Sequence, residues 1–240
     1  MKPSLSVSLL QTLQKGANQL SDEARHRVGD FVESQRTDGE SFINRGGKAD
    51  LYYTMFGWML CYALKLPTSR KGREAFLAGI DPGDLDDLHQ TVLTICQMLH
   101  RLLAAPRFTP IGLLQWIDDA PLRHFLSAYE QQGSGEATNA MASRLALSTA
   151  ADVSEADLLL HMQHETGGFL AHEHSLMPDM LSTAVALFAL RQHAIRPRFD
   201  ARPFIEAHWT DEGGFLPTLL DEHSDTEYVF YGLLAIGSLT

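Results

Sequence analysis

Three carboxylic acids fall within four positions of the chain, in the segment Asp84-Leu-Asp-Asp87. Carboxyl groups that are buried close together cannot all ionise, because burial and like charge push their pKa values apart. One carboxyl of such a buried group can keep its proton at neutral pH, so the surroundings of Asp84, Asp86 and Asp87 decide which of them are ionised. The alternative is structural, since carboxylates at a helix start cap the free amides and suit the helix dipole.

Histidines form a second polar group. His172-Glu-His174 and Asp221-Glu-His223 occupy equivalent loops of two neighbouring repeats. Imidazole and carboxylate groups bind divalent metal ions, so a metal site at His172, His174 and His223 is one interpretation. Solubility of an exposed loop explains the same residues, and no cysteine is nearby. We therefore predict no cofactor, with the metal site as the alternative.

Aromatic residues gather near the starts of two predicted helices. They are Tyr52, Tyr53 and Phe56 in the first and Tyr228 and Tyr231 in the last. Aromatic faces can line an apolar cavity and attract a cation. We predict these five residues as substrate-binding, although packing between helices explains them equally well and only about half can face inward at helical spacing.

The elements that position these residues follow from a repeat. His164-Glu-Thr-Gly-Gly-Phe169 precedes Asp179, and Asp211-Glu-Gly-Gly-Phe215 precedes Asp225. Both the phenylalanines and the aspartates are 46 positions apart. A fixed period of this size predicts an array of similar supersecondary units. Two periods before Asp179 lies Asp87, and Asp38-Gly-Glu-Ser-Phe42 is a weaker copy of the glycine signature.

Apolar residues recur at every third or fourth position, and alternation typical of strands never persists, so the sequence predicts an all-α protein. We expect about five helix-pair units and an extra N-terminal helix at residues 4–18, in one domain spanning 1–240. Aspartates place helix starts near 50, 87, 179 and 225, and another helix is expected from 136, after Gly133-Ser-Gly135. Thr109-Pro110 and Ala120-Pro121 indicate two further helix starts, with proline at the first helical position. The remaining helices are predicted at 22–35, 70–79, 109–132, 154–163 and 200–208.

The segment Gly-Gly-Phe, followed by a loop and Asp-x-x-Ser-Thr-x-x-x-Leu-x-Ala-Leu, resembles the repeat of the protein prenyltransferase β-subunit and squalene/terpene cyclase superfamily. Residues 22–65 and 155–240 carry the likeness well, and the middle of the chain carries it poorly. The resemblance implies a closed α/α toroid, with inner helices around an apolar funnel. Helices starting near 50, 87, 136, 179 and 225 would be inner, and the others outer.

The resemblance also implies chemistry. Asp84-Leu-Asp-Asp87 is similar to the Asp-x-Asp-Asp acid of the cyclases, which protonates an alkene. The resemblance thus makes Asp84, Asp86 and Asp87 our candidate catalytic residues. Aligning Thr91 with Thr183 instead places that acid near His89, which we add to the candidate substrate-binding residues. The cyclases also generally use two barrels, whereas this chain has length for one.

The zinc chemistry of the protein prenyltransferases is not expected. Their metal needs an Asp-x-Cys and a later histidine, because a thiolate ligand belongs to the site. Leu181 stands at the cysteine position and Tyr228 at the histidine position.

Composition limits the class of protein further. The net charge of −11 argues against nucleic acid or an anionic membrane as the main partner. No run of 18 apolar residues is present, the N-terminal segment lacks the pattern of a signal peptide, and no membrane span is expected. Cys61 and Cys96 fall in apolar helical segments, so we expect reduced core thiols and a cytoplasmic location.

We therefore expect a protein that binds an apolar isoprenoid or polyene in a central funnel. If it is catalytic, the expected reaction is an acid-initiated cyclisation or isomerisation. The alternatives are a non-catalytic scaffold for a protein partner, one half of a two-barrel assembly or a homodimer. A sugar-active toroid is a further alternative, against which the Gly-Gly-Phe repeat argues.

Overall fold

The computed structural model describes residues 3–105, 117–130, 136–150 and 152–240. These ranges are mostly helical, which confirms the all-α prediction. The predicted helix start at Thr109 lies outside them. The helices are α1 (Leu5–Gln19), α2 (Asp22–Ser34), α3 (Leu51–Leu64), α4 (Arg70–Ala78), α5 (Asp87–Ala104), α6 (Ala120–Glu130), α7 (Thr138–Leu147), α8 (Val153–His161), α9 (Met180–Gln192), α10 (Arg202–Ala207) and α11 (Thr226–Ser238).

Aspartates determine where the repeat helices begin. The side chains of Asp50, Asp179 and Asp225 each accept a hydrogen bond from the backbone amide three residues further on, which caps α3, α9 and α11. In α5 the cap is Asp86. Helix α7 has no side-chain cap and begins at Thr138, two residues after the predicted start.

The phenylalanine of each glycine loop is buried beneath the following helix. Phe42, Phe169 and Phe215 are at most 1% exposed. Their backbone amides donate to the hydroxyls of Thr54 at 2.9 Å, Thr183 at 2.8 Å and Ser224 at 3.0 Å. Each unit thus ties its loop to its own helix start through one hydroxyl group.

Two short antiparallel ladders, which the sequence did not predict, join loop and helix start. Strand β1 (Phe42–Ile43) pairs with β2 (Ala49–Asp50), and β3 (Phe169–Leu170) pairs with β4 (Pro178–Asp179). Strands of two residues are too short to show the alternation by which strands are recognised.

Contacts connect the helices in a cycle. Helix α3 packs against α5, α5 against α6, α6 against α7, α7 against α9, α9 against α11, and α11 against α3. The order of packing therefore returns to its starting helix. Helix α6 takes a place in this cycle between α5 and α7, which corrects its predicted assignment to the outer set. The Phe125 ring of α6 lies 6.3 Å from the Tyr52 ring of α3, between ring centroids, so this face of α6 points toward the other helices of the cycle.

Helix α1 lies across the C-terminal ends of α9 and α11. The Ser8 hydroxyl bonds to Gln192 in α9 at 3.0 Å, and Gln19 donates to the Ile236 carbonyl of α11. Glycines at positions 16 and 237 allow the backbones of α1 and α11 to touch, because a Cβ on Gly16 would lie 2.0 Å from the Leu233 carbonyl oxygen. The extra N-terminal helix thus covers one end of the cycle.

Two loop glycines pack against a neighbouring unit in the same way. Gly167 has a φ of 95°, and a Cβ there would lie 2.1 Å from the Asp200 carbonyl oxygen, just before α10. Gly213 has a φ of 94°, and its Cβ would lie 2.4 Å from the Arg27 carbonyl of α2. The loop before α11 therefore packs on α2, in the first unit. In the same way, the loop before α9 packs on the segment before α10, in the last unit.

Both cysteines are buried and unpaired, in agreement with the expected core thiols. Burial raises the pKa of Cys61 to about 12, so its thiol stays protonated at neutral pH. Within the described ranges, no helix is both long enough and apolar enough to cross a lipid bilayer.

Gly213→Ala should destabilise the protein much more than Gly47→Ala. Both glycines have positive φ, where alanine costs about 1 kcal/mol. A methyl group at Gly47 would have no atom within 4 Å, whereas one at Gly213 would meet the α2 backbone. We expect an additional loss of about 2 kcal/mol in the free energy of unfolding for Gly213→Ala, measured in urea. Equal losses for the two variants would contradict the contact between the last loop and α2.

Candidate functional site

An apolar cavity of about 70 Å³ lies among the helices of the cycle. Residues of α3, α6, α7, α9 and α11 line it, and Leu9 of α1 contributes from the covered end. The polar groups of its lining are the side chains of Asn139 and Ser143 and the hydroxyl of Tyr231. Such a lining can hold an apolar group and orient it with few hydrogen bonds.

The lining follows the repeat. Counted from the capping aspartate, the sixth and ninth residues line the cavity in three helices, as Phe56 and Met59, Val185 and Phe188, and Tyr231 and Leu234. Helical periodicity brings these positions onto one face. The same face carries the second residue after each cap, which is Tyr52 in α3, Leu181 in α9 and Glu227 in α11.

Of the predicted substrate-binding residues, Phe56 and Tyr231 line the cavity itself. The Phe56 ring lies 4.8 Å from that of Phe230 and 5.0 Å from that of Tyr52, between ring centroids. Tyr52 in turn lies 6.0 Å from Tyr53. The aromatic residues of α3 and α11 therefore form one continuous group that extends from the cavity toward the helix starts.

Glu227 lies within this aromatic group. The Tyr52 hydroxyl donates to its carboxyl at 2.9 Å, and a second hydrogen bond links it to Tyr231, which borders the cavity. Burial raises the pKa of Glu227 to about 7, and repulsion from Asp225 adds to the effect. We call Tyr52, Glu227 and Tyr231 the Glu227 cluster. It provides a carboxyl that is protonated in part of the molecules at neutral pH.

An ion pair lies beside the cluster. The Arg45 Nε bonds at 2.7 Å to Asp225, whose side chain is 5% exposed, and this bond raises the pKa of Arg45. The Arg45 guanidinium also lies 5.4 Å from the ring centre of Tyr228. Burial raises the pKa of Tyr53 to about 12 and that of Tyr228 as well, so both phenols stay protonated. Tyr53 and Tyr228 thus lie near the ion pair, and neither lines the cavity.

The aspartates of the predicted acid lie at the surface. The side chains of Asp86 and Asp87 are 66% and 86% exposed, and Asp84 is exposed as well. Hydrogen bonds from the backbone amide and the ring of His89 lower the pKa of Asp86. A general acid must keep its proton, which burial would favour and these surroundings do not. The structure therefore supports the capping interpretation over the catalytic one.

His89 belongs to the same surface group. Its ring lies 2.7 Å from the Asp86 carboxyl, and its side chain is 42% exposed. Among the described residues it is not part of the cavity lining. The predicted role of His89 in substrate binding thus has no support from its position.

The three histidines of the alternative metal site are not grouped as metal ligands. His172, His174 and His223 are exposed. In the described part of the chain, no three His, Cys, Asp or Glu side chains are grouped so that they could hold a metal ion.

The sequence interpretation overlooked Glu227. One signal was present, because Glu227 is the second residue after its capping aspartate, as Tyr52 is, and Tyr231 follows it by one helical turn. Its burial could not be inferred, since the residues around it come from both ends of the chain.

Compared with known proteins, the chain matches no family model and no curated protein sequence.

The half-buried carboxyl of Glu227 makes stability depend on pH. Because the folded pKa of Glu227 is about 7 and the ordinary value is 4.5, the folded state binds the proton more tightly, and stability is lost as pH rises from about 4.5 to 7. Glu227→Gln removes this loss, so it should match the wild type near pH 4.5 and exceed it at pH 8. The upper limit of the gain is roughly 3 kcal/mol.

Urea unfolding at pH 4.5, 6 and 8 measures this difference, and the exposed Glu212→Gln serves as the control. A constant difference between Glu227→Gln and the wild type across these pH values would show that the carboxyl is not held protonated by burial.

Proposed function

We propose that the protein is an α/α toroid of the prenyltransferase and terpene cyclase type, which binds an apolar isoprenoid or polyene in its central cavity. The closed order of helix packing supports the toroid, and so does the repeated packing of Gly167 and Gly213. The apolar lining supports the class of ligand.

The cavity holds only part of such a ligand. A water molecule needs about 10–15 Å³ by a comparable measure, so about 70 Å³ accommodates a few carbon atoms. Met55 and Met59 line the cavity, and unbranched methionine side chains adapt readily to a ligand. A longer chain enters when these side chains change rotamer.

Proton transfer is the chemistry that this site supports, and its carrier is Glu227. A carboxyl with a pKa near 7 can both donate and accept a proton at neutral pH. Glu227 lies behind Tyr231 and does not itself line the cavity, so the ligand must extend past Tyr231 to reach it. The carboxyl then protonates one carbon of a double bond, which leaves a positive charge on the other. The carboxylate removes a proton from the next carbon beyond that charge, so the double bond shifts by one position without a co-reactant. Phe56 and Tyr231 both line the cavity, and an aromatic ring stabilises a positive charge that forms over its face.

A non-catalytic scaffold is the second candidate. The cavity is largely filled by the protein's own side chains, and leucines protrude from the loops that precede α9 and α11. Leu176 is 99% exposed and Leu220 is 78% exposed. If these leucines form one contiguous apolar patch, that patch is the surface that a protein partner would cover.

Ligand binding is tested with farnesol and squalene in a thermal-shift measurement. A ligand at ten times its Kd stabilises the folded state by about 1.4 kcal/mol, which raises the Tm by several degrees. Val185→Phe fills the cavity and should abolish the shift, whereas Val153→Phe on the exposed face of α8 should keep it. An equal shift in both variants would place the ligand elsewhere, and no shift in the wild type would favour the scaffold.

Proton transfer is tested in D₂O. Farnesol incubated with the wild type should gain deuterium bound to carbon, detected by mass spectrometry. Glu227→Gln should reduce this rate at least a hundredfold, since general acid–base catalysis typically contributes about 10²–10⁴. Glu212→Gln is the matched control and should retain the rate. Deuterium incorporation at the wild-type rate in Glu227→Gln would show that the carboxyl does not take part in the reaction.

A further inference from the structure

A second, larger cavity lies at the other end of the helix cycle. It is an open groove of about 1030 Å³, bordered by α1 and by the C-terminal ends of α9 and α11. Glu227 lies at the start of α11 and Ser238 at its end, so about 16 Å of helix separates the groove from the Glu227 cluster. The groove is therefore a different site from the apolar cavity.

Positive charge is concentrated in this groove. The groove is lined by five basic residues, which are Lys15, Arg191, Arg196, Arg198 and Arg202. Among the described lining residues, Asp200 has the one acidic side chain. The whole chain has 19 basic and 30 acidic residues, so this local excess runs against the overall charge. The C-terminal ends of α9 and α11 each carry roughly half a negative charge, so together they offset only about one unit of positive charge.

Several of these cations lack a protein partner. Among the described residues, the side chains of Arg191, Arg196 and Lys15 make no hydrogen bond or ion pair, whereas Arg202 lies 3.7 Å from Asp200. Guanidinium groups bind phosphate oxygens through two parallel hydrogen bonds. Four arginines around one concave space thus offer repeated phosphate recognition.

We propose that this groove binds a small anion carrying two or more phosphate groups. The concave shape favours a small molecule over a flat membrane surface, and the groove volume is that of a typical small-molecule site. The side-chain amide of Gln11 lines the same space and can donate to a further phosphate oxygen. This proposal does not depend on the function of the apolar cavity.

Isothermal titration calorimetry with sodium tripolyphosphate tests the proposal. The wild type should bind it, more weakly at 200 mM than at 50 mM NaCl, since the contacts are ionic. Arg191→Gln with Arg196→Gln should lower the affinity at least tenfold. Both residues lack structural partners among the described residues, so this variant should fold, which circular dichroism confirms. Lys71→Gln with Arg101→Gln removes two exposed charges elsewhere and should bind as the wild type does.

A titration with ATP distinguishes a nucleotide ligand from a polyphosphate group alone. Affinity for ATP well above that for tripolyphosphate supports the proposal with a nucleotide as ligand, and equal affinity supports it with the polyphosphate group alone. Equal binding of tripolyphosphate by the two double variants would overturn the proposal. So would a wild type that fails to bind tripolyphosphate at millimolar concentration, or one that binds only hexaglutamate, which would indicate an acidic peptide.

Discussion

The contact between the last unit and the first is the constraint on which the rest of the structure depends. Gly213 rests on the Arg27 backbone of α2, and α11 packs against α3. A side chain larger than hydrogen at position 213 would separate these elements. Because the contact joins residues 186 positions apart, its entropic cost must be offset by the apolar surface that closure buries.

Closure creates the candidate site. Each important pair there joins the beginning of the chain to its end, as in Phe56 with Phe230, Tyr52 with Glu227, and Arg45 with Asp225. If α3 and α11 were apart, water would solvate Glu227 and its pKa would return toward the ordinary value. The unusual proton affinity of Glu227 is therefore a property of the closed arrangement and not of local sequence.

Local signals in the sequence predicted the helices well, because each is determined within a few residues. Asp50, Asp179 and Asp225 cap helices where the sequence indicates, and the buried phenylalanines follow the glycines as the repeat requires. Helix α6 was assigned to the outer set because it falls between the periodic helix starts near 87 and 136. Its position between α5 and α7 depends on packing that no local pattern records.

The site was harder to predict, for a related reason. A capping carboxylate can lie at the surface, as Asp86 does, or be buried, as Asp225 is, whereas a general acid requires burial. The sequence does not distinguish these environments. Asp86 and Glu227 both lie in the first turn of a helix or just before it, yet only Glu227 faces the aromatic group. The difference arises because α11 is covered by α3, while the start of α5 is open.

Nuclear magnetic resonance tests closure most directly. With the backbone assigned, a nuclear Overhauser effect between the Gly213 α-protons and the Val28 amide proton measures whether the last loop touches the first unit. Closure predicts a strong effect, because a Cβ on Gly213 would lie 2.7 Å from the Val28 nitrogen. Its absence, with both resonances assigned and sharp, would contradict the closed arrangement and the site built on it.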